Sequence, residues 1–321
     1  MANQSLATAG NLRKKTPWQR FVVNFKGSWQ LHLMLLLPLV YMIIFHYIPM
    51  FGLQIAFRDY RTRAGLAGSE WVGLYQFTKF FSNYKWSEYV LNTFYLSIYS
   101  IIAGFPMPII LALVINANNN KVLKKLTQNV SYVPHFISVV VMVGILNRVL
   151  DPFTGLWGTI CKELGVLEII DIRTNPETFR HLYVWSGVWQ AMGWGAILYV
   201  SALSAVSPEL HEAARIDGAS RFRRMLTVDI PAILPTICIM LIMRMGSILS
   251  IGYEKVYLMQ NSLNIVNSEV ISTYVYKQGL ANNNLSYGSA VGMMNSVIGT
   301  SMVILVNWIT NKLSDGEAGL F

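Results

Sequence analysis

The sequence predicts an all-α polytopic membrane protein with about six transmembrane helices. Of its 321 residues, 54% are hydrophobic and only 13% are charged, which leaves too few polar groups to cover a soluble domain of this size. The apolar residues are concentrated in six long runs, and a helix needs roughly 20 mainly apolar residues to cross the hydrocarbon core. A soluble helical core rarely supplies six such runs.

The six predicted spans are separated by loops of moderate length, without short repeats or low-complexity linkers. We therefore expect one membrane domain over residues 31–311, between an amino-terminal segment (1–30) and a carboxyl-terminal tail (312–321). In chain order the predicted spans are 33–57, 89–115, 130–150, 182–206, 232–251 and 288–309.

Prolines and small residues predict the shape of individual spans. Pro106 and Pro108 should kink the second span, and Pro134 should bend or delay the start of the third. In two spans small residues recur every four positions, which lets another helix approach closely or, alternatively, lines a pathway. These are Gly187, Ala191 and Gly195 in the fourth span and Gly288, Gly292, Ser296 and Thr300 in the sixth.

Positive charge before the first span favours cytoplasmic termini, since cytoplasmic loops keep Lys and Arg. With an even number of spans, both termini then lie inside the cell, although three arginines in the first external loop weaken the bias. No small-residue cleavage site is evident, so the start is expected to be a retained anchor in the inner membrane. The net charge of +9 is explained by anionic lipid headgroups, and no basic motif indicates nucleic-acid binding. The charges before the span are Arg13, Lys14, Lys15, Arg20 and Lys26.

The loop over residues 207–231, between the fourth and fifth spans, contains helix-starting and helix-stopping residues. Ser207 is a natural helix cap and Pro208 a natural first helical residue. Gly218 permits the left-handed backbone of a helix stop, and Ser220 can cap a second short helix leading to Pro231. We predict a helix, a turn and a second helix on the cytoplasmic face.

The first helix of this loop has one nearly flat side. Ala213 and Ala214 form that side, while Glu212, Arg215 and Asp217 place charges around it. A small apolar face with charged flanks fits a groove on another protein. The alternative is a helix resting on lipid, but two alanines give weak anchoring.

This loop resembles the signature loop of the permease subunits of binding-protein-dependent ATP-binding cassette importers. Val228 stands where the family usually has Ile, and Ile230 where it usually has Leu. The resemblance runs from about Tyr89 to the sixth span, is closest to the carbohydrate branch, and implies a type I importer permease fold. The residues that carry it are Glu212, Ala213, Ala214, Asp217, Gly218 and Pro231, between two spans.

The resemblance implies a non-catalytic subunit that forms the path of an oligosaccharide. It implies two partner ATPases that bind ATP and Mg, a solute-binding protein, and a second permease that we expect to be a different chain. Consistently, the chain has no phosphate-cradling glycine loop. Residues 252–256 and 272–276 look like permeases for complex or acidic oligosaccharides such as alginate fragments; another solute remains the alternative.

Five residues are candidates for the substrate path. Arg244 lies inside the fifth span, where a charge costs roughly 2 to 3 kcal/mol or more. It is expected to bind a sugar hydroxyl or carboxylate, or else a neighbouring helix or the interface. Trp185 and Trp189 share a face that could stack on sugars, although the interfacial aromatic belt is the commoner reason for such tryptophans. Tyr253 and Asn295 are weaker candidates near the outer mouth.

Two other functional classes, a membrane-embedded enzyme and an ion-coupled carrier, fit the sequence less well. The five histidines show no ligand spacing, so neither a metal site nor a catalytic residue is predicted. An ion-coupled carrier would need buried acidic residues, and the predicted spans are nearly free of Asp and Glu. No cofactor is therefore expected on this chain itself.

Overall fold

The computed structural model describes residues 28–166, 168–246 and 251–313. The basic amino-terminal residues and most of the predicted tail lie outside these ranges. The chain divides into two compact units, Met1–Gln54 and Ile55–Phe321. Helices dominate the described residues of both, as the sequence predicts.

The first unit is built on a helix that is apolar on all sides. Helix α1 (Trp29–Met42) continues through a π-helical turn (Ile43–Tyr47), α2 (Ile48–Met50) and a 3-10 segment (Phe51–Phe57). The 29-residue stretch Trp29–Phe57 is long and apolar enough to cross a membrane, and none of its most apolar window is buried. A helix with this surface requires lipid or another protein around it.

A short antiparallel ribbon follows, which the all-α prediction did not include. Strand β1 (Arg58–Asp59) pairs with β2 (Glu70–Trp71), so that Arg58 lies opposite Trp71, and α3 (Gly65–Gly68) lies between the strands. Two residues per strand give no alternating pattern to detect. The Arg58 guanidinium lies 5.4 Å from the Trp71 ring centroid and donates a 2.9 Å hydrogen bond to the Ser69 carbonyl oxygen.

The rest of the second unit is helical, with short connecting helices between longer ones. In chain order the helices are α4 (Tyr75–Phe81), α5 (Trp86–Gly104), α6 (Pro106–Ala117), α7 (Lys121–Tyr132), α8 (Val139–Val149), α9 (Leu156–Glu163), α10 (Pro176–Ser204), α11 (Pro208–Ile216), α12 (Arg221–Arg224), α13 (Ile230–Gly246), α14 (Tyr253–Met259), α15 (Ile265–Ser268), α16 (Ile271–Val275) and α17 (Leu285–Leu313).

Up to six of these stretches can cross a membrane, in agreement with the predicted number. Four single helical stretches are long and apolar enough to cross: Trp29–Phe57, Trp86–Ala117, Arg221–Gly246 and Leu285–Ile309. Two more qualify if each is taken as a bent pair of helices. The first pair joins Lys121–Phe136 to Val139–Val149 at 101°, and the second joins Pro176–Ser204 to Pro208–Ile216 at 74°.

The third predicted span, 130–150, coincides with the first bent pair and is not one straight helix. Pro134 lies in a 3-10 turn after α7, where its ring removes a backbone donor, and Ser138 then caps α8 by accepting a 3.3 Å hydrogen bond from the Val141 N–H. The bend expected from Pro134 is confirmed. The second span is likewise interrupted between Gly104 and Pro106.

Helix α10 lies at the centre of the second unit and packs against α5, α6 and α13. Close approach depends on glycine at two points. A Cβ at Gly193 would lie 1.9 Å from the Ser131 carbonyl oxygen, and a Cβ at Gly288 would lie 2.6 Å from Gly279 Cα. The close packing predicted for the small residues of the last span is thus confirmed at Gly288.

Candidate functional site

The loop between α10 and α13 has the predicted start and stop. The Ser207 Oγ accepts a 3.3 Å hydrogen bond from the Glu209 N–H at the start of α11. Gly218 has φ +76°; its N–H donates to Arg215 O at 3.1 Å, and the next N–H donates to Ala214 O at 2.9 Å. This pair of bonds satisfies the last carbonyl groups of the helix.

The second helix of the loop differs from the prediction because it does not stop before Pro231. The Ser220 Oγ caps α12 through a 3.3 Å bond from the Arg223 N–H, and a π-helical turn (Met225–Asp229) then leads directly into α13. Pro231 therefore lies inside the continuous helical stretch Arg221–Gly246, where its missing N–H removes one backbone donor. The second helix of the loop is therefore continuous with the fifth span.

Helix α11 turns away from α10 by 74° and buries none of its residues. Glu212, Ala213 and Asp217 are exposed, and Ala214 is partly covered. The apolar side chains of Ile216 and Phe222 are 87% and 67% exposed. An exposed apolar surface with charges around it is typical of a protein contact.

One buried carboxylate, which the sequence analysis missed, attaches α11 to the helix bundle. Asp229 is 7% exposed, its Oδ1 lies 3.3 Å from Nε2 of His211 in α11, and the same oxygen accepts a 3.3 Å bond from the Asn116 amide of α6. Asp229 is the lone acidic residue between positions 218 and 253. A single acidic residue in a long apolar run was the feature of the sequence that could have identified it as a buried, functional carboxylate.

A cavity of about 420 Å³ lies between α5, α6, α10 and α13. Arg244 lines it, as do Gly187, Ala191 and Gly195, the small residues of the fourth predicted span. Gly195 also packs closely, because a Cβ there would lie 3.1 Å from the Pro108 ring. The small residues of this stripe therefore allow close packing at Gly195 and also line the cavity.

Lys255, at the start of α14, reaches into the same cavity and was not predicted. Its side chain is 9% exposed, its Nζ donates a 2.7 Å bond to the Tyr183 carbonyl oxygen, and it lies 4.6 Å from the Tyr183 ring centroid. Burial lowers the pKa of Lys255 to about 8. A Cβ at Gly187 would lie 3.1 Å from Nζ, so glycine makes room for the ammonium group.

The two tryptophan candidates lie elsewhere. Trp185 and Trp189 line a separate, almost wholly apolar groove of about 350 Å³ between α8 and α10, and the Trp185 Nε1 donates a 2.9 Å bond to the Tyr99 hydroxyl. Tyr253 stacks on a neighbouring tyrosine ring at 5.0 Å. Neither Tyr253 nor Asn295 belongs to the described lining of the cavity. These four residues are therefore not among the described residues that line the cavity with Arg244.

Among residues 28–166, 168–246 and 251–313, no group of three or more His, Cys, Asp or Glu side chains is placed to hold a metal ion. The polar groups near the cavity are instead cations, amides and hydroxyls. Such groups can bind a polar solute through hydrogen bonds and charge.

Several proteins are similar to this chain along nearly its whole length. The polygalacturonan/rhamnogalacturonan transport system permease protein YteP of Bacillus subtilis (strain 168) is 37% identical over 318 residues, covering 99% of this chain and 98% of YteP. Protein LplB of the same organism is 40% identical over 296 residues, 92% of each chain. These similarities are too long to come from shared composition alone.

Solved structures of transporters have the same fold. A chain in the crystal structure of a bacterial ABC transporter involved in the import of the acidic polysaccharide alginate matches with a TM-score of 0.83 and 34% identity, over 91% of this chain and 99% of that one. A chain of the alginate transporter in complex with an alginate pentasaccharide-bound periplasmic protein matches with a TM-score of 0.85 and 34% identity, over 94% and 100%.

The family description "Binding-protein-dependent transport system inner membrane component" matches residues 104–315. This range runs from the end of α5 to α17, so it contains the glycine-stopped loop, most of the residues that line the cavity and the last predicted spans. The match covers well over half of the sequence. The chain therefore belongs to the family of binding-protein-dependent transport system inner membrane components and is a membrane-spanning subunit of an importer.

Proposed function

We propose that this chain forms one half of the translocation path of an ATP-driven oligosaccharide importer. A solute-binding protein outside the cell delivers the sugar, a second and different permease chain completes the path, and two ATPase subunits bind ATP and Mg. The chain itself carries out no catalysis. The observation that carries the proposal is α11, a fully capped helix that buries none of its residues and lies across the end of a membrane helix.

The exposed surface of α11 supports docking to an ATPase. A short helix of nine residues that buries nothing gains little from its own chain, and isolated helices of this length are marginal in water. Its caps hold it in shape, and the alanine side lets a partner approach closely. The exposed Ile216 and Phe222 then supply apolar area for the contact.

Two connections support transmission of ATPase closure to the membrane helices. The first is the uninterrupted path from α12 through the π-helical turn into α13. The second is the polar contact of Asp229 with His211 and Asn116, which joins α11 to α6 and α13. A rigid displacement of α11 would therefore move helices that line the cavity.

The cavity supports a path for sugar. Its walls combine apolar side chains with hydroxyl, amide and cationic groups, which suits a solute whose surface is both polar and apolar. YteP is a permease for polygalacturonan and rhamnogalacturonan, and the matching structures belong to an alginate importer. An oligosaccharide is therefore the proposed class of substrate.

The termini are proposed to be cytoplasmic. An even number of spans places both ends on one side, and the Lys and Arg residues before the first predicted span favour the inside. On this topology α11 also faces the cytoplasm, where ATP is available. A reporter that becomes fluorescent only inside the cell, fused to the carboxyl terminus, should be bright; a dark fusion would contradict the topology.

The coupling role is tested by Gly218→Val with Gly165→Val as matched control. Both glycines have positive φ, +76° and +73°, and a β-branched residue there costs about 1 to 2 kcal/mol of backbone strain. Gly218→Val should lose copurification of the ATPase subunits and reduce uptake at least about tenfold. Gly165→Val should keep the ATPase subunits bound. Equal retention of the ATPase in both variants would contradict the proposal.

A further inference from the structure

The part of the cavity lining that the structure describes contains a buried ammonium group and no carboxylate. Among the described residues, Lys255 donates one hydrogen bond, to Tyr183 O, although an ammonium group carries three donors. None of the side chains described as lining the cavity is acidic. Burying an ammonium without an anionic partner is costly in free energy, and the lowered pKa of Lys255 expresses the same cost. A negative charge that entered the cavity would offset this free-energy cost.

Two hydroxyl groups in the same cavity have no hydrogen-bond partner among the residues that the structure describes. Ser97 is 3% exposed and lines the cavity, and within the described part of the chain its Oγ has no partner. The buried Oγ of Ser100, one turn further along α5, is in the same situation. Helical serines usually bond back to a carbonyl of the preceding turn, and a buried hydroxyl without a partner is unfavourable. These hydroxyls are therefore available to a ligand.

We propose that the cavity binds a carboxylate-bearing sugar unit of an oligosaccharide during transport. The Lys255 ammonium binds the carboxylate, and the hydroxyls of Ser97 and Ser100 bind hydroxyl groups of the same unit. The inference rests on the proposed function of sugar import and adds the class of sugar. Arg244 lines the same cavity and contributes a second positive charge to its field.

The single hydrogen bond of the ammonium group can be replaced by a stronger one to a carboxylate. Its bond to Tyr183 is to a backbone carbonyl, a neutral acceptor that a carboxylate outcompetes because charge-assisted hydrogen bonds are roughly twice as strong. Gly187 faces Nζ and leaves space for a ligand atom. A neutral sugar would gain the hydroxyl contacts but leave the lysine charge uncompensated.

The test uses the complete complex, purified in detergent with its ATPase and permease partners. Two probes are compared by titration calorimetry, trigalacturonate and the same trisaccharide with its carboxyl groups reduced to neutral alcohols. The wild-type complex should bind the acidic probe at least about tenfold more tightly. Lys255→Met should remove that difference, and Lys255→Arg should retain most of it because the charge is kept.

A second variant tests the site without touching a charge. Ser97→Ala should weaken the binding of both probes by about threefold or more, because it removes a hydroxyl that hydrogen-bonds the ligand. Without ligand its Tm should not fall, since the Oγ has no described protein partner. A lower Tm with unchanged affinity would assign Ser97 a structural role and contradict the proposal.

The inference is overturned if the wild type binds both probes equally, or if Lys255→Met weakens them by the same factor. Copurification of the ATPase subunits, measured on the same preparations, separates this failure from failure of the proposed function. An assembled complex without acidic preference contradicts only the carboxylate site. A wild-type chain that never assembles with an ATPase contradicts the importer itself.

Discussion

Helices α9 and α11 end in the same way and have different surroundings. Both stop at a glycine of positive φ, Gly165 at +73° and Gly218 at +76°. In both, the glycine N–H donates to the carbonyl three residues back, at 3.0 and 3.1 Å, and the next N–H donates five residues back, at 2.9 Å. The two helix stops therefore have the same backbone conformation and the same hydrogen bonds.

The side chains of the two helices differ in how they pack. Helix α9 is packed against its own chain: Cys161 is buried, and a Cβ at Gly158 would lie 2.0 Å from the Pro152 carbonyl oxygen. Helix α11 buries none of its residues and is attached to the bundle through His211 and Asp229. A glycine stop thus specifies where a helix ends, whereas the surface left uncovered indicates whether a partner is required.

The largest difference between the two helices should come from filling the flat side of α11. Ala213 and Ile160 occupy the same position, five residues before the stopping glycine, and both are exposed. Ala213→Trp adds bulk where close approach is needed, and overpacking of a contact costs typically about 1 to 3 kcal/mol. ATPase copurification should fall at least about tenfold.

Ile160→Trp is the matched control for that substitution. It adds an aromatic side chain at the equivalent position of α9 and should change ATPase copurification less than about twofold. Pull-down of the ATPase from detergent extracts measures both variants. Loss of the ATPase in the Ile160 variant alone would reverse the assignment of the two surfaces.

A smaller effect should follow from removing the charge that holds α11. Asp229→Asn keeps the shape of the side chain but replaces the carboxylate 3.3 Å from His211, and a buried polar contact left imperfect costs about 1 to 3 kcal/mol. Uptake should fall about three- to tenfold while the ATPase stays bound. The readout is uptake per copurified ATPase in proteoliposomes.

The double variant with His211→Asn shows whether this contact is the cause. If the pair transmits movement, the two single losses should not add, because neighbouring residues in one contact are coupled. Strict additivity of the two effects on uptake would indicate that each residue acts independently and would remove the Asp229–His211 contact from the proposed mechanism.

The smallest effect should come from the acidic residue before α9. Hydrogen bonds from the backbone N–H groups of Thr154 and Phe153, together with the nearby Arg173 charge, lower the pKa of Asp151 to about 2. Asp151→Asn can still accept the backbone bonds but loses the ion pair, which in exposed positions contributes little. Uptake should stay within about twofold, and Tm should fall by less than about 2 °C.

The pH dependence of that small effect has a defined sign. The carboxylate is stabilised in the folded state, so its contribution is present above its ordinary pKa near 4 and is lost as the pH falls towards about 2. The Tm difference between Asp151→Asn and the wild type should therefore be largest at neutral pH and shrink below about pH 4. A difference that grows on acidification would contradict the assigned cause.

The features that sequence predicted correctly are local. The caps Ser207 and Ser220, the stop at Gly218 and the bend at Pro134 each depend on a few neighbouring residues, and such preferences act regardless of the rest of the fold. The ribbon at Arg58 and the continuation of α12 into α13 were missed. Two-residue strands and a π-helical turn leave no periodic pattern in the sequence.

The features of the candidate site also separate into local ones, which the sequence predicts, and ones that depend on the fold. By itself the sequence determined that the chain crosses the membrane about six times, that a capped helix projects from the 207–231 loop, and which family it resembles, because these depend on composition and short-range preferences. Only the tertiary structure decided that Lys255 and Ser97 share a cavity with Arg244 while Trp185 and Trp189 do not. Residues more than 150 positions apart meet there, and which side of α10 each one faces depends on packing between helices.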